Sequence, residues 1–211
     1  MAEIDLGTAA VLAVAVFFIA WYYAAFVYSR RLASRVAREL KDAVLGLGGA
    51  SRVRWFGTTA FRMTTEEASP PFREVSMTVT LRPREMPINW AIGTAQRRRD
   101  AALLEASLRK SPKVEFELVD PATRIGQRRR RARSDWSPVS IDGRDLLAAA
   151  DDEGQVVRLL EALGPGTLAP VMAMRVTAGG QPGIAASVSV QPGDAGRGLA
   201  AIRTLADRLT G

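Results

Sequence analysis

The stretch Leu6–Ser29, LGTAAVLAVAVFFIAWYYAAFVYS, decides how this chain is organised, because its 24 residues include no charged side chain. Roughly 20 apolar residues, each rising 1.5 Å along a helix, cross a hydrocarbon layer about 30 Å thick. The stretch is apolar on every side, as a helix surrounded by lipid should be. Its C-terminal half is rich in aromatic side chains, which favour a membrane interface. These are Trp21, Tyr22, Tyr23 and Tyr28. The stretch therefore predicts one transmembrane helix.

A cleaved signal peptide is the main alternative for this stretch. Signal peptides begin with a positively charged region and carry a shorter apolar run. Here the first five residues include Glu3 and Asp5 and no basic side chain. A permanent anchor is therefore favoured over a signal peptide, and over a buried helix of a soluble protein.

The charges on the two sides of the span predict its orientation. Only acids precede it, whereas five basic residues follow within twelve positions. They are Arg30, Arg31, Arg35, Arg38 and Lys41. By the positive-inside rule, the N-terminus lies outside and the rest of the chain is cytoplasmic. We predict a single-pass protein of the cell membrane. We call these five basic residues the membrane-surface set. Each charge is expected to contribute about 1 kcal/mol of attraction to anionic lipid head groups.

Residues 30–50 are predicted to form a basic juxtamembrane helix that ends in a glycine-rich hinge. An apolar residue recurs every fourth position, at Leu32, Val36, Leu40 and Val44. The segment Gly46-Leu47-Gly48-Gly49 then predicts the end of the helix and a hinge. The expected organisation is an anchor at 1–29, this helix and hinge at 30–50, and a cytoplasmic domain at 51–211.

Alternating apolar residues predict a mainly antiparallel sheet in the cytoplasmic domain. Strands are expected at Arg52–Thr64, Glu74–Leu81, Ala102–Leu108, Lys113–Val119, Asp145–Ala150, Val171–Thr177 and Ile184–Val190. Helices are expected at Ile88–Arg99, Asp152–Leu163 and Ala195–Leu209; Asp152 with Gln155 has the spacing of a capping box. Ala102–Leu108 either pairs with Lys113–Val119 as a hairpin or extends the helix before it. The order predicts an α+β fold, with helices packed on one face of the sheet.

The positive charge is concentrated in the middle of the chain. Of a net charge of +7, residues 82–135 supply the whole excess, with 14 basic and seven acidic side chains. Two clusters produce it, namely Arg97-Arg98-Arg99 and Arg128-Arg129-Arg130-Arg131 with Arg133. Because neighbouring like charges repel, the second cluster is predicted to be an exposed, mobile loop. The clusters indicate a polyanion-binding surface for RNA phosphate or lipid head groups. The alternative is a solvated loop that reinforces the positive-inside signal.

The residue types present exclude several kinds of chemistry. The chain has no cysteine and no histidine, which excludes disulfides, thiolate nucleophiles, His-ligated metals and imidazole bases. It also lacks Walker A and dinucleotide-binding motifs. The densest acidic cluster, Asp151-Asp152-Glu153, suits helix capping better than catalysis. We therefore expect a protein that is not an enzyme and that has no cofactor.

Several short segments occur in the order found in a known family. A span leads into Ser29-Arg30-Arg31-Leu32-Ala33, a strand at Val75–Arg84 ends in basic residues, and Lys113-Val114-Glu115-Phe116-Glu117-Leu118 follows a helix. This order, over residues 10–211, resembles the cytosolic core of the calumin family, the coiled-coil-domain-containing subunit of the PAT complex beside the Sec translocon. The chain departs from the family in lacking its acidic luminal domain and its C-terminal coiled coil. A distant prokaryotic, archaeal-type relative is implied.

The resemblance implies a non-enzymatic factor that assists insertion or folding of multipass membrane proteins at the Sec translocon. Its implied partners are a small multipass membrane protein, the translocon, and the ribosome or ribosomal RNA at the arginine clusters. The competing hypothesis is a membrane-tethered lipid-surface or scaffolding domain unrelated to translocation. A third hypothesis is an enzyme with an unrecognised carboxylate site. The sequence does not separate the first two.

Overall fold

The structure is a computed structural model that describes residues 5–96 and 98–211, so Arg97 of the predicted polyanion set lies outside the described residues. The helices are α1 (Leu6–Leu45), α2 (Pro87–Ala95), α3 (Arg124–Arg131), α4 (Glu153–Glu161) and α5 (Asp194–Thr210). The strands are β1 (Ala50–Trp55), β2 (Ala60–Glu66), β3 (Phe72–Thr80), β4 (Ala101–Leu108), β5 (Phe116–Val119), β6 (Ser137–Ile141), β7 (Arg144–Ala150), β8 (Val171–Val176) and β9 (Ile184–Ser189).

One antiparallel sheet contains all of these strands, in the order β1-β2-β3-β4-β9-β8-β5-β7-β6. The predicted α+β class is confirmed. The hairpin considered for Ala102–Leu108 and Lys113–Val119 is not formed, because β9 and β8 lie between these strands. Strand β4 pairs with β3 and β9, and β5 pairs with β7 and β8. Alternation within a strand predicts which side chains face the core, but it does not say which neighbouring strand completes the hydrogen bonds.

Two further strands differ from the prediction. The run Arg52–Thr64 is a hairpin of β1 and β2 rather than one strand. Its turn includes Gly57 with φ 79°, a left-handed conformation that glycine adopts without steric cost. Strand β6, at the far edge of the sheet, was not predicted, because Ser137–Ile141 is short and contains a proline.

Helices α5 and α4 cover the apolar face of the sheet, and α1 packs against α5. Along β4, Ala102, Leu104 and Ala106 are buried on this face. Helix α5 contacts β9 and β4, and α4 contacts β6 and β7. The predicted apolar stripe of α5 is buried at Leu199, Ile202, Leu205, Ala206 and Leu209. The predicted cap of α4 is confirmed, because the backbone N–H of Gln155 donates to the Asp152 carboxylate at 2.8 Å.

Helix α1 has two halves with different surroundings. Among the described residues it is the one helix long and apolar enough to cross a membrane: its most apolar 18 residues have a mean hydropathy of 2.3, and none of them is buried. We call residues 6–28 the apolar half and residues 29–45 the packed half. In the packed half, Val36, Leu40 and Val44 are buried against the domain. The predicted apolar stripe is thus confirmed, with Leu32 partly buried at its start.

Residues 46–49, where the sequence predicts a hinge, form a turn that is hydrogen-bonded to the domain. Leu47 is buried, and its carbonyl accepts a hydrogen bond from the Ser69 N–H at 2.7 Å. Arg203 of α5 donates to the Gly46 carbonyl at 3.0 Å. A Cβ at Gly49 would lie 2.3 Å from the Glu66 carbonyl oxygen, so only glycine fits there. The packed half and this turn therefore pack against the domain, and buried contacts of α1 begin at Ser29.

Candidate functional site

A long connection between β3 and β4 leaves the sheet and returns to it. We call residues 82–100, which include α2, the α2 excursion. Asp100 holds its two ends together, because its carboxylate accepts hydrogen bonds from the Arg82 N–H at 2.7 Å and from Arg84 Nη2 at 2.5 Å. Arg84 is buried and also donates to the Arg82 carbonyl at 3.0 Å. A buried Arg–Asp pair therefore fixes the base of the excursion.

Helix α2, with the sequence PINWAIGTA, exposes apolar side chains around most of its circumference. Met86, Ile88, Trp90 and Ile92 are between 40% and 63% exposed, and Gly93 is the buried residue of this helix. A helix that is apolar all round is normally surrounded by an apolar medium. Contiguous exposed apolar side chains also mark interaction surfaces. The surface of α2 is therefore a candidate binding surface.

Trp21 connects the α2 excursion to the apolar half of α1. Its Nε1 donates to the Arg84 carbonyl at 3.0 Å, and its ring meets the Trp90 ring edge-on, with centroids 5.5 Å apart. The Arg84 guanidinium lies 5.3 Å from the centroid of the Tyr28 ring. Helix α2 therefore lies beside the aromatic end of the apolar half, at the level where the sequence predicts a membrane interface.

A cavity of about 250 Å³ opens beside α2. Two guanidinium side chains, Arg82 and Arg98, line it together with Asn89, Trp90 and Ile92. Arg82 Nε is buried and has no hydrogen-bond partner among the described residues. The nearest carboxylate oxygen, Oδ1 of Asp100, is 3.8 Å from it. The cavity thus combines an unsatisfied cationic group with apolar walls.

The arginine run after β5 is helical, so the prediction of a mobile loop at Arg128–Arg133 is wrong. The run belongs largely to α3, where the Thr123 hydroxyl caps the helix by accepting from the Gly126 N–H at 3.0 Å. Repulsion between the arginines is offset by a carboxylate beneath them. Glu117 is 5% exposed and pairs with Arg129 at 2.5 Å and with Arg175 of β8 at 3.3 Å.

The contacts of Glu117 divide the second arginine cluster into two groups. Arg129 and Arg133 contact Glu117, and Arg133 also forms a bidentate hydrogen bond with Asp135 that lowers the pKa of that carboxyl. These two arginines serve the fold, because a buried carboxylate requires partners. Arg128, Arg130 and Arg131 are exposed and form no ion pair with the described residues, whereas Arg133 is exposed but paired. Since Glu117 alternates with the buried Phe116 and Leu118, α3 lies on the face of the sheet opposite α5.

A glutamine joins the two arginine clusters. The Gln96 side-chain oxygen accepts from Arg98 Nε at 3.0 Å and from Arg124 Nη1 at 2.6 Å. The exposed Arg98 and Arg99 therefore lie near the start of α3. Arg124 extends this surface and was not included in the predicted set, because it stands alone in the sequence. We call Arg98, Arg99, Arg124, Arg128, Arg130 and Arg131 the arginine surface.

The membrane-surface set is spread along α1. Arg30, Arg31, Arg35, Arg38 and Lys41 are all exposed, on the side away from the domain. Because α1 continues unbroken, the rise per residue places Lys41 about 16 Å beyond Arg30 along the axis. In a helix perpendicular to a bilayer, head groups that meet Arg30 and Arg31 are out of reach of Lys41. Arg30 and Arg31 are thus the members of the set nearest to the end of the apolar half.

No family model matches this chain, and no curated protein matches it significantly. Function is therefore inferred from the residues and contacts of the chain itself.

We expect that changing Arg128, Arg130 and Arg131 to Gln weakens polyanion binding without unfolding the domain. Three lost phosphate contacts should flatten the slope of log affinity against log salt by about 2–3, whereas exposed substitutions change stability by about 0.5 kcal/mol or less. Titration of the protein with single-stranded RNA and with anionic vesicles, at several salt concentrations, measures the slope.

A matched control removes the same charge from the opposite end of the sheet, by changing the exposed Arg52, Arg54 and Arg73 to Gln. Equal weakening by both triple variants would reduce the effect to net charge and contradict a localised surface. Binding to vesicles but not to RNA would assign the arginine surface to lipid.

Proposed function

We propose that this protein is a non-enzymatic, single-pass membrane protein whose cytoplasmic domain is held against the bilayer and binds anionic partners there. The observation that carries this proposal is the contact of Trp21 with Arg84 and Trp90, which sets the apolar α2 beside the aromatic end of the apolar half. In water, both surfaces would be exposed apolar patches of unusual size. In a bilayer, the apolar half crosses the hydrocarbon layer and α2 lies at the interface.

The charge distribution supports an orientation with the domain in the cytoplasm of the cell. Glu3 and Asp5 precede the apolar half, and Arg30 and Arg31 follow it directly. The α2 excursion adds five arginines against two carboxylates on the same side. Protease added to sealed, right-side-out cells should therefore leave the domain intact. Digestion of the domain from outside would reverse the orientation.

The apolar side chains of α2 favour its insertion into the membrane interface. Each large apolar side chain that becomes fully buried contributes about 1.5–3 kcal/mol, and Ile88, Trp90 and Ile92 are available for burial. Arginines flank the helix on both sides, where their guanidinium groups can stay with the head groups. Together with α1, the inserted helix gives the domain two attachments to the membrane and prevents free rotation about the span.

The position of α2 can be measured with a single fluorescent label. Because the chain has no cysteine, Ile88→Cys provides one labelling site on α2, and Glu161→Cys provides a matched exposed site on α4. In proteoliposomes, an environment-sensitive dye at position 88 should emit at shorter wavelength and be quenched by brominated lipids. The dye at position 161 should not. Equal exposure of both dyes to water would refute the interfacial placement of α2.

A second candidate function is assistance to insertion or folding of multipass membrane proteins at the Sec translocon. It is favoured by the exposed face of the apolar half, where Ala13, Ala20 and Ala24 would permit close packing of a partner helix. Co-purification from gently solubilised native membranes tests it. Recovery of Sec subunits, a small multipass protein and ribosomal proteins would support this role, whereas recovery of lipid alone would leave the membrane-surface function.

A further inference from the structure

We propose that the cavity of the α2 excursion binds the phosphate of an anionic phospholipid head group. The inference rests on the proposed placement of α2 at the membrane surface and specifies which ligand that surface selects. The cavity shares Arg98 with the arginine surface and differs from it in Arg82, Asn89 and Trp90, which line the cavity and are not part of that surface.

Among the described residues, Arg82 shares its one nearby carboxylate with Arg84, and Arg98 forms no ion pair. Asp100 lies near Arg82, but its carboxylate already accepts the buried Arg84 at 2.5 Å and the Arg82 N–H at 2.7 Å. Arg82 Nε is buried without a hydrogen-bond partner in residues 5–96 and 98–211, and Arg98 donates Nε to the neutral Gln96 amide. Phosphate oxygens would supply the missing acceptors, and the planar guanidinium fork suits them in geometry and charge.

The remaining walls favour a lipid over a free anion. Asn89 offers amide groups for a head-group hydroxyl, whereas Trp90 and Ile92 offer apolar surface for the start of an acyl chain. Pockets that enclose a whole drug-sized ligand measure about 300–1,000 Å³. The cavity of about 250 Å³ is smaller and open. It can therefore take a head group while the acyl chains remain in the bilayer.

The position of the cavity agrees with this ligand. Trp90 forms one of its walls and also contacts Trp21 of the apolar half. Tryptophan rings concentrate at the interface, close to the phosphates of the lipid. A lipid in the bilayer would thus meet Arg82 and Arg98 without leaving its leaflet. An RNA chain would have to approach between the domain and the membrane.

The full-length protein, purified in mild detergent, tests the proposal by native mass spectrometry with phosphatidylglycerol and phosphatidylcholine. The parent should prefer phosphatidylglycerol, and the Arg82→Gln/Arg98→Gln double variant should lose about tenfold or more of that preference, because two charge-assisted contacts are removed. The Arg52→Gln/Arg54→Gln variant carries the same charge change on β1 and should keep the preference. Competition with glycerol phosphate separates the head group from the lipid: it should displace little phosphatidylglycerol.

Two results would overturn the proposal: an unchanged preference in the Arg82→Gln/Arg98→Gln variant, or an equal loss in the β1 variant. Arg82→Gln alone, which leaves the arginine surface unchanged, provides a second test if the double variant unfolds; it should lose part of the preference. The dye at position 88 separates this proposal from the proposed function. A buried dye without lipid preference refutes the cavity alone, whereas a water-exposed dye refutes the placement of α2 as well.

Discussion

A chain that begins at Ser51 is expected not to fold stably, whereas a chain that begins at Ser29 should unfold in one cooperative transition. The difference is the packed half, whose Val36 and Leu40 are fully buried against the domain. A chain that begins at Ser51 also lacks the buried Val44 and Leu47. At about 1.5–3 kcal/mol for each such side chain, the loss approaches the whole free energy of unfolding of a typical domain, about 5–15 kcal/mol.

Urea unfolding followed by circular dichroism measures this difference. Within the chain that begins at Ser29, Leu40→Ala should cost about 2–5 kcal/mol because it opens a cavity between α1 and α5. The neighbouring Lys41→Ala, at an exposed position, is the matched control and should change stability by about 0.5 kcal/mol or less. A Ser51 chain with an unchanged urea midpoint would show that the packed half adds nothing to the domain.

Replacing Arg84 with Met should destabilise the domain by about 3 kcal/mol, because it leaves the largely buried Asp100 without its closest cationic partner. Met keeps much of the apolar stem of the arginine, so the lost charge is the main change. The Arg84→Met/Asp100→Asn double variant should recover most of the loss, since it removes both charges together. Urea unfolding of the parent, Arg84→Met, Asp100→Asn and the double variant gives the coupling energy of the pair.

The matched control for this cycle is Arg62→Met with Glu105→Gln. This pair spans 3.5 Å on the more exposed face of the sheet, so its coupling should be about 1 kcal/mol or less. If the double variant at Arg84 and Asp100 were as unstable as Arg84→Met alone, the loss would come from the other hydrogen bonds of Arg84. The role of the Arg–Asp pair in fixing the excursion would then be wrong.

The sequence predicted those features that depend only on residues close together in the chain. The stripe of α5 repeats with the helical period, and Asp152 caps α4 through a residue three positions away. The alternation in β3 likewise marked Val75, Met77 and Val79 as buried. Each of these features depends on residues a few positions apart, so the sequence alone is sufficient to predict it.

The contacts between distant segments could not be predicted in this way. Glu117 belongs to the polar side of β5, which the alternation assigns to solvent, but α3 covers it and brings Arg129 to the carboxylate. The density of positive charge therefore led to the prediction of a loop where the structure has helix α3. The four-residue stripe of the packed half was found, but its partner α5 lies more than 150 residues away in the chain. Sequence patterns show that a side chain is buried without showing what covers it.

The α2 excursion was predicted in part: its helix was expected from the sequence, but its contact with Trp21 was not. A helix was predicted there, and the structure ends it at Ala95, earlier than the predicted Arg99. Its apolar residues fall on every side instead of one stripe, and arginines stand before and after it. The tryptophan of α2 and the arginines that flank the helix are typical of a segment at a membrane interface. The contact with Trp21, in contrast, joins positions 63 residues apart and required the fold.

Because α1 is unbroken, a tilt of the apolar half in a bilayer would be transmitted to the domain. The helix contains no proline and is continuous from Leu6 to Leu45, so the apolar half cannot tilt without moving the packed half and the sheet behind it. A thinner bilayer tilts a span that is too long for it. A tilt of about 10° would displace the far end of the packed half, about 25 Å away, by about 4 Å. Membrane thickness would thereby set the angle at which the arginine surface meets its surroundings.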